Sequence, residues 1–427
     1  MKNKVSGFTL VELLAVIVIL AIILVIAVPK ISDTIKNSKI ASFESSAKTI
    51  AAQAEKKKME KEILEDTGSI NCSDVVKLND TDYGNCSISF DGNTAKVTLV
   101  GKGKFKGLKI TNGTKDNSKA EEIKAPVYGN AVNYVNGLYA YDASSNGLEK
   151  DTTSDANIRY VGANPNNYVE FNNELWRIIG IFNGNVKLVR DDILTTYSFD
   201  NKTTAQGIET DYGTNDWTNS YLREFLNDYY FSGKTITCHS EAIGASTATN
   251  ATITCPEINK INATARSMIQ KTTWTLGGTT YKTSNPPYET YTVNELYESE
   301  RGTQVYSKHA TTSTDYIGLI FPSDYGYAST DESCRQNLRS GVTYTNNAYG
   351  GTSKCKNNNW LFKGTWYWTI SPYLPDAYNV FHTSGSGYLA ISYALYRANV
   401  RPSLYLKADV KVVGGTGTSS DPYTLEI

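Results

Sequence analysis

The chain has 427 residues, a formal net charge of −1, 40% hydrophobic and 20% charged residues. That length exceeds one small domain and predicts two or three, and the near-neutral balance supplies no global basic field to favour nucleic acid. Tyrosine is over-used, 30 against 3 methionines and 3 histidines, and Asn, Thr and Ser abound after residue 110, a profile of a β-rich extracellular surface.

The first element is an apolar run. From Phe8 to Val28 the only ionisable residue is Glu12. At about 1.5 Å rise per residue the run makes a helix roughly 31 Å long, enough to cross a bilayer's hydrocarbon core. Lys2 and Lys4 precede it, so the N-terminus is expected to stay cytoplasmic. A secretory signal has a shorter apolar core and a small-residue cleavage site after it; here no A-x-A follows. A glutamate this deep is costly unless partnered, which marks Glu12 as functional. Pro29 lies just past the run and predicts a bend near Val25. Helical periodicity continues through Ile31, Ile35, Ile40, Phe43, Ala47, Ile50, Ala51 and Ala54, with Asp33, Lys36, Lys48, Glu55 and Lys56 opposite, and fades near Glu65.

The residues Gly7-Phe8-Thr9-Leu10-Val11-Glu12, heading such a span, resemble the class III leader of type IV pilins and of their secretion-system relatives, the pseudopilins. The resemblance implies that a membrane prepilin peptidase cuts after Gly7 and that Phe8 carries a methyl group. It also implies that Glu12 of one subunit neutralises the new Phe8 amine of the next, setting axial register, and that Pro29 is a usual feature of the assembly helix. The implied layout is a leader peptide (1–7), a transmembrane and assembly helix (8–66) and a small antiparallel sheet (70–112) packed on the helix's amphipathic half.

That sheet is legible in Ser87 to Phe90, the turn Asp91-Gly92-Asn93, Ala95 to Val100, and Lys104 to Ile110. The glycines and lysines between 101 and 109 lack the G-K-[ST] ending of a phosphate loop and sit between strands. Residues 113–156 are polar and punctuated, and read as a linker. Six cysteines fall in close pairs and allow fifteen connectivities; for a translocated chain the expected bonds are Cys72–Cys86, Cys238–Cys255 and Cys334–Cys355. The C-x-x-C spacing of a zinc site is absent, and no metal or cofactor is expected.

Residues 157–427 read as a β-rich extracellular domain. A W-R-I-I-G strand (Trp176–Gly180), a W-x-x-S-x-L-R-x-x-L-N helix (Trp217–Asn227), a W-T-I-S-P segment (Trp368–Pro372) and a V-R-P-S-L-Y-L strand (Val400–Leu406) follow in order. That order resembles an uncharacterised extracellular domain of secreted and pilin-like proteins of Gram-positive bacteria. Its layout is also distantly similar to the C-type-lectin and sulfatase-modifying-factor folds. The calcium-ligand motifs of lectins are absent, and no reactive cysteine pair stands out. His239, His309 and His382 are scattered without ligand or triad spacing, no G-x-S-x-G occurs, and acids such as Asp324 in Pro322-Ser323-Asp324-Tyr325 have no partner that sequence alone identifies. No catalytic residue is assigned. Trp360, Trp366 and Trp368 are the candidate binding platform, with Trp366 and Trp368 on one strand face; such a face binds a ligand if exposed and is core if covered, and for tryptophan core is the commoner outcome. Arg177, Arg223 and Arg401 read as structural.

The expected architecture is α+β: a long pilin helix on a small antiparallel sheet, then a large irregular β-rich domain. The expected function is a non-enzymatic pilin subunit, minor or at the tip, inserted in the membrane by a single pass before assembly and then carried on a surface filament. Its expected partners are other pilin subunits, the prepilin peptidase, the membrane during assembly, and an extracellular glycan or protein ligand. The competing readings are a pseudopilin of a type II secretion or DNA-uptake apparatus, the one case in which nucleic acid enters, and a membrane-tethered ligand-binding protein that never polymerises.

Overall fold

The computed structural model of the protein describes residues 10–79, 81–205, 208–278, 292–305, 308–336, 338, 353–374 and 376–427. It divides into two compact units, Met1–Ala125 and Pro126–Ile427.

In the first unit, helix α1 (Leu10–Ile63) runs unbroken through Pro29. It ends where Glu65 takes φ 55°, with Lys61 paired to Asp66 at 2.7 Å across the last turn. Strands β1 (Tyr83–Asp91), β2 (Thr94–Gly101), β3 (Leu108–Gly113) and β4 (Glu121–Glu122) form an antiparallel sheet in sequential order. The lower half of α1 buries Phe43, Ala47, Ile50, Ala51 and Ala54, one helical stripe, against Ala95, Val97, Leu99, Leu108 and Ile110 of the sheet. The alanines let helix and sheet approach closely, and β2 alternates buried and half-exposed residues, as a one-faced strand must. Phe43 fills the aromatic corner, its ring centroid 5.2 Å from Phe105 and 6.2 Å from Tyr83. Glu55 is stitched to the sheet: its Oε1 accepts the Ala95 N–H at 3.2 Å and its Oε2 pairs with Lys115 at 2.9 Å. That bond to Lys115, outweighing partial desolvation, holds the carboxyl below its ordinary range.

The segment expected as a linker, 113–156, is not one. It supplies β4 to the first unit; to the second it supplies β5 (Gly129–Asn130), α2 (Ala131–Asp142) and β6 (Leu148–Lys150). Asn130 caps α2 by accepting the Asn133 N–H at 3.1 Å, and Ala131, Tyr134, Val135 and Leu138 are buried at helical spacing. The abundant Asn, Ser and Gly of this stretch mask that period.

The second unit is built on a mixed sheet. Its strands are β7 (Ile158–Tyr160), β8 (Tyr168–Phe171), β9 (Glu174–Phe182), β10 (Asn185–Arg190), β12 (Ile269–Gln270), β13 (Ile317–Gly318), β18 (Ser403–Leu406), β19 (Lys411–Gly414) and β20 (Tyr423–Glu426), with β5 and β6. The main path runs β12-β18-β10-β9-β8-β20-β19-β5, with β7 also on β9, and β20 lies parallel to β8. A second sheet, in the order β11-β17-β14-β15-β16, is made of β11 (Thr195–Ser198), β14 (Tyr367–Pro372), β15 (Asn379–Thr383), β16 (Leu389–Tyr393) and β17 (Arg397–Val400). Strands β9, β10, β14 and β18 are buried on both faces, which explains their near-continuous apolar runs. Helices α3 (Val293–Arg301) and α4 (Pro322–Tyr327) pack together beside the main sheet. The architecture is α+β. Disulfides join Cys72 to Cys86, Cys238 to Cys255 and Cys334 to Cys355.

Candidate functional site

Of the residues that the leader motif singles out, Gly7 and Phe8 lie outside the described residues. Glu12 falls within α1, but its side chain lies outside the description, and Pro29 is inside the helix. Above Phe43 the helix exposes Leu10, Leu14, Val16, Ile17, Val18, Ile19, Val28, Ile31 and Ile35, each at least 45% accessible. Apolar residues at consecutive positions cover the whole circumference, and a helix of that kind requires an apolar surround, whether lipid or neighbouring helices. Among the described residues no helix is long and apolar enough to cross a membrane; the span over Phe8–Val28 rests on the sequence.

Of the candidate platform tryptophans, Trp360 and Trp368 take the covered alternative, a correction to their assignment as binding residues. Trp368 and Trp360 are buried, and their indole N–H groups donate to the carbonyls of Tyr197 at 3.0 Å and Tyr160 at 2.8 Å. Trp366 is half-buried against the core, 6.2 Å from Trp368 and 5.0 Å from His382. Spacing correctly puts Trp366 beside Trp368, but Trp360 and Trp368 are core and Trp366 alone of the three keeps partial exposure, so the three do not form an open platform. The histidines do not converge. His239 stacks on Tyr221, His309 is buried against the carbonyls of Ala310 and Asn215, and His382 contacts the Thr383 carbonyl and the Ser392 hydroxyl. Burial lowers His382 to about 4. Arg223 pairs with Asp315 at 2.6 Å, while Arg177 donates to Asn167 and Arg401 to the Arg190 and Leu361 carbonyls. Among the described residues no group of His, Cys, Asp and Glu is placed to hold a metal ion.

The concentrated chemistry lies elsewhere, in a buried charge cluster. Register places Arg159 on β7, Gly180 on β9, Lys187 on β10 and Tyr405 on β18 in one cross-strand row. Gly180 is required there: a Cβ would come within 2.2 Å of the Ile158 carbonyl oxygen. The two cations converge on Asp324, in the first turn of α4. Lys187 Nζ meets Oδ2 at 2.6 Å, and Arg159 Nη1 meets Oδ1 at 2.8 Å. The Phe321 N–H also donates to Oδ2, at 3.0 Å. Arg159 Nε reaches a second acid, Asp151, at 2.5 Å, and Asp151 accepts further bonds from Thr153 and Asn157.

Beside this cluster Glu300 accepts the Ser323 N–H at 2.8 Å, the Ser323 hydroxyl, and a bond from Arg301. Burial opposes ionisation of Asp324, but Lys187 and Arg159 outweigh it and keep the group charged. Burial lowers the proton affinity of Lys187 despite Asp324, and it lifts Glu300 to about 7. Sequence reasoning named Asp324 without a partner, since its neighbours lie 165 and 137 residues away.

An apolar helix whose lower half packs on a small antiparallel sheet is the arrangement that the resemblance to the prepilin leader leads one to expect. The comparison with known families agrees: residues 2–28 match the model of the prokaryotic N-terminal methylation motif, the class III prepilin leader of type IV pilins. This motif supports a type IV pilin-like or pseudopilin-like protein and points to a structural subunit; it implies assembly with other pilins and processing by a prepilin peptidase. No curated protein and no solved structure matches the chain, and the lectin-like layout of the distal unit is not confirmed.

Proposed function

We propose that the protein is a minor or tip subunit of a type IV pilus-like filament, displaying its second unit as a binding domain at the cell surface. The observation that carries this reading is the methylation-motif match at residues 2–28. The continuation of that motif into a helix reaching Ile63 supports it. In this reading the peptidase cuts after Gly7 and methylates Phe8. The helix then leaves the membrane beside a neighbouring subunit, whose Phe8 amine is neutralised by Glu12. The large distal unit favours a substoichiometric position, because a head of that size crowds a close-packed shaft.

The deciding experiment combines filament purification with immunogold labelling of the wild type and of Glu12→Ala. The expected outcome is label at filament ends for the wild type and, for Glu12→Ala, normal membrane insertion without incorporation. Label along the whole shaft overturns the minor-subunit assignment. Recovery of the wild type only as a membrane monomer overturns assembly itself.

A further inference from the structure

We propose that Lys187 and Asp324 condense to an intramolecular isopeptide bond, Nζ to Cγ, which cross-links strand β10 to helix α4 with loss of one water. The reacting groups are already in contact, 2.6 Å apart, and neither side chain has any solvent exposure. The ammonium is enclosed by four rings, those of Phe321, Trp274, Tyr405 and Phe182, with centroids at 4.4, 5.2, 5.5 and 5.6 Å. Such a dry cage excludes the water that would reverse an amide condensation.

The atoms balance without a co-reactant. The Lys187 ammonium passes one proton to Oδ2, leaving a neutral amine against a neutral acid. The nitrogen lone pair attacks Cγ, the C–N bond forms, and negative charge moves onto Oδ1, where Arg159 Nη1 already donates at 2.8 Å. A second proton leaves nitrogen for Oδ2, the Cγ–Oδ2 bond breaks, and water departs. Arg159 keeps Asp324 ionised and so opposes the first proton transfer, whereas burial of Lys187 favours it.

Charge bookkeeping gives the driving force. Before the reaction two cations, Arg159 and Lys187, share two anions, Asp151 and Asp324, in a site with almost no water contact. Each buried ion carries a desolvation penalty of several kcal/mol even when paired. Condensation removes one cation and one anion together, leaving Arg159 and Asp151 as a one-to-one pair. The bond concerns the second unit alone and stands whether or not the chain polymerises.

The test is mass spectrometry of the full-length processed protein after complete disulfide reduction. The expected result is an intact mass one water below that of the processed chain, and a branched peptide joining Lys187 to Asp324 after protease digestion. Lys187→Ala is expected to yield separate peptides with no missing water. Asp324→Asn is expected to reach the wild-type final mass, because the same bond then forms with loss of ammonia. A wild-type protein at full mass, with Lys187 and Asp324 in separate linear peptides, overturns the proposal. So does a missing water that persists in Lys187→Ala. The wild-type measurement decides on its own if a variant fails to fold.

Discussion

Asp151→Ala should be one of the more damaging single changes in the second unit. The carboxylate accepts from Arg159 Nε at 2.5 Å, from the Thr153 hydroxyl at 2.6 Å and from Asn157 Nδ2 at 3.1 Å, all in buried surroundings. Its removal leaves Arg159, 2% exposed at its side chain, with Asp324 as its one remaining acidic contact among the described residues. That group is a carboxylate shared with Lys187 before condensation and a neutral amide oxygen after it, so the buried guanidinium is under-compensated in either state. Breaking a buried pair from one side typically costs about 3–5 kcal/mol. At roughly 2 °C per kcal/mol for a domain of this size, that lowers Tm by about 6–10 °C.

Calorimetry of the purified protein at neutral pH is the assay, with the double variant Asp151→Ala/Arg159→Met as the control. In the double variant Asp324 and Lys187 are left balanced, as an ion pair or as the neutral amide, and no charge of the cluster lacks a partner, so more than half of the lost stability should return. Burial pushes the Asp151 carboxyl up, but Arg159 together with the Thr153 and Asn157 hydrogen bonds outweighs it and holds the group below the ordinary carboxylate range. Its contribution is therefore present above the unfolded-state value of about 3.9 and is lost as pH falls further. A Tm change below 2 °C, or a double variant less stable than the single one, refutes the electrostatic account.

Glu300→Gln tests the opposite pH limb. Burial lifts Glu300 to about 7, above its unfolded value, so its contribution is full below about pH 4.3 and is lost as pH rises through about 7. The variant should flatten the decline in Tm between those limits; an unchanged pH profile counts against it. In the first unit, Phe43→Ala opens a cavity against Phe105 and Tyr83 and should cost about 3–5 kcal/mol, read as faster proteolytic cleavage within residues 40–110. Cys72→Ser/Cys86→Ser removes a link across 14 residues of sequence and should destabilise that unit by about 3 kcal/mol. Denaturant midpoints with and without reductant check this, and reductant should shift the wild type towards the variant.

Local patterns carried much of this protein. The leader motif depends on adjacent residues from Gly7 to Glu12, and the buried stripe Phe43, Ala47, Ile50, Ala51 and Ala54 is a helical period readable by spacing. The sheet on that stripe has clean alternation because one face alone is covered. The cysteine pairs lie 14, 17 and 21 residues apart, close enough that loop closure favours the neighbour.

What tertiary structure alone decided is what covers each surface and which distant charges meet. The Trp366-x-Trp368 spacing fixes a shared side, but whether that side is platform or core depends on elements elsewhere in the chain, among them Tyr197 on β11. The buried row of Arg159, Gly180 and Lys187 arises from strand register, and Asp324 reaches it only because α4 packs there. Helix α2, hidden in a polar stretch, is stabilised by burying its apolar stripe against the second unit rather than by propensity. Periodicity is a property of neighbouring residues, whereas burial and ion pairing belong to contacts between segments that no local pattern encodes.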